Sequence, residues 1–213
     1  ATGGAMPSVG AQGLVGPFGT PPNTINPDRV STDFSASFDA VTPPVTTNYI
    51  IADISLPANL NLPRVGDVPH TDGVYYYQTP DISFNNKVLA IKKRVVAETS
   101  PKVVIKLTNT TTSINIGGGS GEIRIESGAN LEIYAPGDIK IAGNGIMNGG
   151  TTAGTANLPE NFQIWGTKTT GVQSIDIKGN GVMSALVYAP QGSVFINSNG
   201  DVLGSVVAND ITL

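Results

Sequence analysis

The sequence predicts an all-β fold: a right-handed parallel β-helix, or solenoid, with an irregular β-rich N-terminal portion. The first observation behind this prediction is composition. The 26 glycines and 15 prolines among 213 residues interrupt the chain too often for long helices, and only 13% of residues are charged. The second is a short alternating run closed by an Asn-Gly corner, which occurs three times in the second half of the chain.

The N-terminal 30 residues are rich in glycine and proline and carry no hydrophobic period. This composition is typical of a flexible tail or linker. We therefore expect residues 1–30 to form an N-terminal tail and residues 31–213 to form a single β-solenoid domain. Residues 31–100 belong either to the solenoid itself or to a β-rich cap or subdomain.

Runs of β-branched and aromatic residues, bounded by turn residues, predict the strands of the first half of the chain. They lie at 49–56, 74–77, 82–84, 88–91 and 103–107. The segment 86–99 has a partly helical pattern, but its β-branched content favours strands. The glycine-rich run 117–121 (GGGSG) precedes an alternating strand, so it predicts a turn, because a phosphate-binding loop needs a following helix.

The repeated motif lies at residues 139–145 (IKIAGNG), 175–181 (IDIKGNG) and 194–200 (VFINSNG). We interpret its asparagines as structural repeat positions: Asn144, Asn180 and Asn199. They are 36 and 19 positions apart, close to multiples of about 18, which we take as the length of one coil.

Such coils must stack on one another, because the few aliphatic side chains of one coil are buried only when the next coil covers them. The alternation predicts Ile141 and Ile177 in the core and Lys140 on the surface. A sandwich of antiparallel hairpins is the alternative fold, because Asn-Gly is also a hairpin turn.

Charge and composition exclude several function classes. A net charge of −4 and a pI of about 4.8 give no electrostatic basis for binding nucleic acid. The absence of cysteine excludes disulfides, a thiol nucleophile and a cysteine-ligated metal. No apolar run approaches the roughly 20 residues of a membrane span, and no signal peptide is recognisable, so any targeting segment is expected to have been removed. No cofactor and no metal site are predicted.

Two local features are interpreted as surface structure. The basic run at residues 92–94 (KKR) follows an apolar alternation and predicts a solvated strand end, with a site for an anion or anionic polymer as the alternative. The single histidine, His70, lies in a loop of proline, aspartate and glycine, where we expect it to be exposed and without a role. Nothing in the sequence marks a catalytic triad around it.

Carboxylates are the remaining enzymatic candidates, because many β-helices are polysaccharide lyases or hydrolases that use clustered acids. Four aspartates stand singly beside strands or turns: Asp138, Asp176, Asp201 and Asp210. Three glutamates alternate with aliphatic residues, which predicts that they face solvent: Glu122, Glu126 and Glu132. The sequence therefore predicts no catalytic residue and no enzyme, with a carbohydrate-binding or carbohydrate-active β-helix as the alternative function.

Three aromatic residues are the candidates for ligand binding: Tyr134, Trp165 and Tyr188. Together they could form a platform on which a sugar stacks. Tyr134 and Tyr188 both lie in a Tyr-Ala-Pro motif, however, and this recurrence favours a structural stacking role.

Residues 131–145 (LEIYAPGDIKIAGNG), 185–190 (ALVYAP) and 199–208 (NGDVLGSVVA) resemble the C-terminal β-solenoid domain of bacterial pilus-assembly-like, pilin-related cell-surface proteins. The likeness covers residues 74–213. It implies an extracytoplasmic location in the bacterial envelope, at the cell surface or secreted, with membrane attachment only through a preceding segment that this sequence lacks. The expected function is a non-enzymatic structural or adhesive domain whose rigid β-face contacts envelope or pilus proteins, or a surface glycan.

Overall fold

The computed structural model describes residues 38–45, 49–51, 59–95, 99–148, 158–178, 182–197 and 202–212. The chain divides into two units between Phe38 and Asp39, and the fold reported below is that of the second unit. The predicted tail, its boundary at residue 30, the repeat positions Asn180 and Asn199, and Asp201 lie outside the described residues.

Fifteen β-strands and one turn of 3-10 helix make up the regular structure of the described residues. The first eight strands are β1 (Ile50–Ile51), β2 (Leu60–Leu62), β3 (Val74–Thr79), β4 (Ile82–Asn85), β5 (Val88–Ile91), β6 (Lys102–Leu107), β7 (Thr112–Gly117) and β8 (Glu122–Ile125). The others are β9 (Asn130–Ala135), β10 (Asp138–Ile141), β11 (Gly145–Asn148), β12 (Phe162–Gly166), β13 (Gln173–Lys178), β14 (Val182–Asn197) and β15 (Val202–Thr212), with the 3-10 turn at Pro159–Asn161. The all-β prediction is confirmed.

Every strand pair among the described residues is parallel, and the pairs join all fifteen strands into one sheet. The pairs form three ladders. Ladder A runs through β1, β3, β6, β9, β12 and β14. Ladder B runs through β4, β7, β10, β13 and β14, and ladder C runs through β2, β5, β8, β11 and β14. The long strand β14 belongs to all three ladders, and β15 pairs along its length.

The spacing between paired strands differs from the uniform repeat of about 18 residues that the motif predicted. Val103 pairs with Leu131, 28 positions later, and Ile139 pairs with Ile175, 36 positions later. A spacing of 36 is therefore a single step between neighbouring strands. Steps near 18 occur where β13, β14 and β15 pair, as between Ile175 and Val194, which are 19 positions apart. Ladder hydrogen bonds fix only the strands, so the connecting loops can lengthen without disturbing the pairing.

Side chains from the strands enter one continuous hydrophobic core, which is mainly aliphatic. In ladder B, the in-register residues Ile82, Ile114, Ile139 and Ile175 are each at most 1% exposed. Parallel register places each of these side chains on its counterpart in the next strand, and both are thereby removed from water.

The predicted core positions Ile141 and Ile177 are confirmed, since both are fully buried. Lys140, between Ile139 and Ile141 on β10, is exposed as predicted. Gly117 ends β7, and the rest of the glycine-rich run forms the turn between β7 and β8, as predicted.

The prediction that Glu122 faces solvent is wrong, because this residue is only 2% exposed. It stands at the start of β8 in register with Val88 on one side and Gly145 on the other, so both neighbouring strands cover it. Its carboxylate is compensated by Arg124, whose Nε lies 2.6 Å from Glu122 Oε1. Glu126 and Glu132 remain partly exposed.

Candidate functional site

The outer surface of ladder A carries a column of three aromatic rings, Tyr134, Trp165 and Tyr188, on neighbouring strands in direct register. The ring centroids of Tyr134 and Trp165 are 6.2 Å apart with the planes at 13°, and those of Trp165 and Tyr188 are 5.6 Å apart at 55°. The fold thus brings together all three residues that the sequence singled out for binding.

The geometry of this aromatic column favours a structural role over a sugar platform. A platform needs an exposed ring face, whereas here Tyr134 and Trp165 stack face to face and Tyr134 is only 8% exposed. The Tyr188 hydroxyl donates a 3.0 Å hydrogen bond to the backbone oxygen of Asp39, so the segment preceding β1 reaches this surface. Trp165 Nε1 is buried and has no hydrogen-bond partner among the described residues.

The carboxylate of Glu132 helps to keep the hydroxyl of Tyr134 protonated. Burial, together with the Glu132 carboxylate, raises the pKa of Tyr134 to about 12. The Tyr134 hydroxyl donates to Glu132 Oε2 at 3.3 Å, and Lys102 Nζ lies 2.7 Å from Glu132 Oε1. Tyr134 is therefore a hydrogen-bond donor across the physiological range and is not a candidate general base.

A second cluster forms around Asp67, in the loop between β2 and β3. Its Oδ2 accepts hydrogen bonds from the Tyr77 hydroxyl at 2.6 Å, from the Arg64 backbone N–H at 2.9 Å and from Arg64 Nε at 3.2 Å. Burial by itself raises the pKa of Asp67, but the hydrogen bonds from Tyr77 and Arg64 outweigh it and hold the pKa below its ordinary value. Burial and the Asp67 carboxylate raise the pKa of Tyr77.

We expect Asp67→Asn to lower the free energy of unfolding by about 1–2 kcal/mol at pH 7, because it removes charge-assisted hydrogen bonds. A carboxyl group whose pKa is lower in the folded state stabilises the fold above its unfolded pKa of roughly 3.9, and this stabilisation is lost as the pH falls through the folded pKa. The difference in the free energy of unfolding between wild type and Asp67→Asn should therefore shrink below about pH 4. Urea denaturation from pH 7 to pH 3 measures it.

Glu160→Gln, which changes an exposed carboxylate on the 3-10 turn, is the control. We expect it to change stability by less than about 0.5 kcal/mol at pH 7. A gap between wild type and Asp67→Asn that stays constant down to pH 3 would contradict the assignment of Asp67.

His70 lines an open cavity of about 470 Å³ beside this cluster, together with Asp67, Ile50 and Tyr76. Its ring meets Tyr76 edge to face at 5.8 Å, and its Nδ1 lies 3.5 Å from Asp72 Oδ1. The histidine is exposed, as expected, and its neighbours include an aromatic ring and a carboxylate that also accepts a hydrogen bond from the backbone N–H of Val74. The hydroxyl beside the ring is that of Thr71, whose Oγ1 lies 3.3 Å from His70 Nδ1, and both residues are exposed.

A second cavity, of about 260 Å³, lies where β2 and β5 end. Arg64 lines it from the chain after β2, and Lys92, Lys93 and Arg94 line it from the chain after β5. The basic run therefore borders a concave site, which the interpretation as a plain strand end did not include. Sequence reasoning missed Arg64 because it is 28 positions from Lys92, and only the pairing of β2 with β5 brings them together.

Two of the aspartates considered for catalysis have structural partners. Asp138 Oδ1 lies 2.8 Å from Lys168 Nζ and accepts a 3.0 Å hydrogen bond from the Ser174 backbone N–H. Asp210 Oδ2 accepts a hydrogen bond from the Ser193 hydroxyl at 3.2 Å. Within the described ranges, no three His, Cys, Asp or Glu side chains are grouped so that they could hold a metal ion. No helix in the same ranges is long and apolar enough to cross a membrane.

Residues 39–213 match the protein family described as Domain of unknown function (DUF7305), and the chain belongs to this family. The matched range coincides with the second structural unit. No curated protein and no solved structure matches the chain.

Proposed function

We propose that this member of the DUF7305 family is a non-enzymatic structural or adhesive domain of the bacterial cell envelope, associated with pili, that presents a rigid β-face to other proteins. The observation that carries the proposal is the set of three parallel ladders that share one continuous hydrophobic core. A domain of this kind is stiff along the direction in which its strands stack, because every strand inside a ladder is held by the strands on both sides. A stiff domain is suited to hold other proteins apart or to present a contact surface to them.

The fold that best accounts for the ladders is a right-handed parallel β-helix whose three faces are ladders A, B and C. The chain visits the ladders in the same order three times in succession: β3, β4 and β5, then β6, β7 and β8, then β9, β10 and β11. Crossovers between parallel strands are right-handed in nearly all proteins, which supports the proposed hand.

The outward side of ladder B, which we name face B, is the surface best suited to a partner. Its residues Asn115 and Lys140 are exposed, and Phe195 in the same register is 41% exposed. The outward side of ladder A differs, because Val104, which alternates with the core residues Val103 and Ile105, is only 2% exposed. An exposed aromatic ring among small polar groups is typical of a contact surface.

The pilus-associated context of the proposal comes from the motifs at residues 131–145 and 185–190. These motifs form β9, β10 and part of β14. One strand separates each of the first two from β14: β12 in ladder A and β13 in ladder B. Envelope or pilus proteins are the proposed partners, and a surface glycan is a further one.

Site-specific cross-linking tests face B, because the chain contains no cysteine of its own. Lys140→Cys, in the middle of face B, and Ser127→Cys, on the exposed turn after β8, would each carry a photoreactive maleimide and be incubated with isolated envelopes. We expect adducts with one envelope protein, or with a second copy of the chain, to form several-fold more from Lys140→Cys. Equal yields at the two positions, or no adduct at either, would contradict the proposal.

A carbohydrate-active β-helix is the competing function. Incubation with pectin, alginate and glycosaminoglycans separates the two, because a structural domain releases no product. Product release that is abolished by Asp138→Asn or Asp176→Asn would replace the structural proposal with an enzymatic one.

A further inference from the structure

We propose that the 260 Å³ cavity at the ends of β2 and β5 binds a single acidic group, a carboxylate, sulfate or phosphate, of an anionic ligand. The parallel ladder builds this site. Leu62 pairs with Ile91, and the backbone N–H of Lys92 donates to the Leu62 oxygen at 3.0 Å, so the two chains continue side by side beyond their strands. Arg64 and the basic run at residues 92–94 consequently face one cavity.

The charge of the cavity is the first argument. Four of its seven lining residues are cationic, in a chain whose net charge is −4. The nearby carboxylate of Asp67 already accepts hydrogen bonds from Arg64 and Tyr77. No ion pair involves Lys92 or Lys93 in the part of the chain that the structure describes. A concave site lined by one sign of charge concentrates the opposite ion.

The rigidity of the two arginines is the second argument. Arg64 is anchored by Asp67, with Nε 3.2 Å from Oδ2. Arg94 donates from Nη1 to the Asp67 backbone oxygen at 2.8 Å and from Nη2 to the Tyr75 hydroxyl at 3.0 Å, and its guanidinium lies 5.6 Å from the Tyr75 ring centre. Because these side chains are already held in place, an anion would bind without the entropy cost of ordering them.

The size of the cavity decides the class of ligand. Cofactors and drug-sized molecules occupy pockets of roughly 300–1,000 Å³ that enclose most of their surface. This cavity is smaller, and Lys93 and Arg94 on its rim are exposed. It therefore fits one charged group, carried either by a free ion or by an acidic glycan that passes over the opening.

Isothermal titration at low ionic strength tests the site with three probes: inorganic phosphate, inorganic sulfate and polygalacturonate, with neutral dextran as the blank. The variant is Lys92→Gln/Lys93→Gln, which leaves the Asp67 network intact. The control is Lys87→Gln/Lys102→Gln, which removes the same charge outside both the cavity and face B. We expect Lys92→Gln/Lys93→Gln to weaken binding of the anion at least about tenfold, and the control variant to weaken it less than about twofold.

Binding of phosphate or sulfate without polygalacturonate identifies a free ion as the ligand, and binding of polygalacturonate alone identifies the acidic group of a polymer. Either result supports the site. Absence of binding to wild type by all three probes overturns the proposal. Equal weakening by the two variant pairs also overturns it, because binding would then follow net charge alone. Thermal melts that match wild type establish that both variants are folded.

Discussion

Replacing Ile141 with aspartate is expected to unfold the domain. Ile141 is fully buried in β10, between Ile116 of β7 and Ile177 of β13, which are themselves fully buried. An ionised carboxylate there has no compensating charge, and a protonated one still lacks hydrogen-bond partners in an aliphatic row. The cost of about 4 kcal/mol or more is a large part of the roughly 5–15 kcal/mol that stabilises a typical domain.

The control for this substitution introduces the same residue on the other side of the sheet. Asn115 is exposed on β7 and in register with Lys140, so Asn115→Asp adds a carboxylate beside a cation in water. We expect it to change the free energy of unfolding by less than about 0.5 kcal/mol. Urea denaturation, followed by circular dichroism and by the fluorescence of the single tryptophan, measures both variants. Similar losses for the two would contradict the assigned inward and outward positions.

Replacing Gly143 with alanine is expected to cost about 3 kcal/mol or more. Gly143 turns the corner between β10 and β11 with φ of +71°, and an added Cβ would overlap the backbone oxygen of Gly118 in the neighbouring corner. The left-handed conformation alone costs an alanine roughly 1–2 kcal/mol. The overlap adds to this cost because the obstacle is backbone, which cannot rotate away, and because the adjacent Asn144 N–H bonds to Gly121 at 3.1 Å.

Gly171 separates the two contributions. Its φ is also +71°, but an added Cβ would meet no atom within 4 Å. Gly171→Ala should therefore show only the conformational cost of about 1–2 kcal/mol. Denaturation midpoints of the two variants give the contribution of the overlap by difference. If both variants lose the same stability, the close approach of the corners at Gly143 and Gly118 is not a feature of the folded protein.

The sequence by itself determined the class of secondary structure and, in strands such as β10, the side that enters the core. The alternation at residues 139–141 placed two isoleucines inside and Lys140 outside, and the structure agrees. This was possible because the two-residue period of a strand is a local property, which each short segment displays without reference to the others. The aromatic column was predictable for a related reason, since like motifs in parallel strands come into register.

Only the tertiary structure decided which strands are neighbours and what lies between them. Strands 36 positions apart are direct neighbours, although the motif predicted one coil between them. The length of the connecting loops sets this spacing, and no sequence period constrains it. Glu122 is buried because Val88 and Gly145 flank it, although its own alternation predicted exposure. Arg64 meets Lys92 only through the pairing of β2 with β5. Such contacts depend on register between distant segments, which local patterns do not encode.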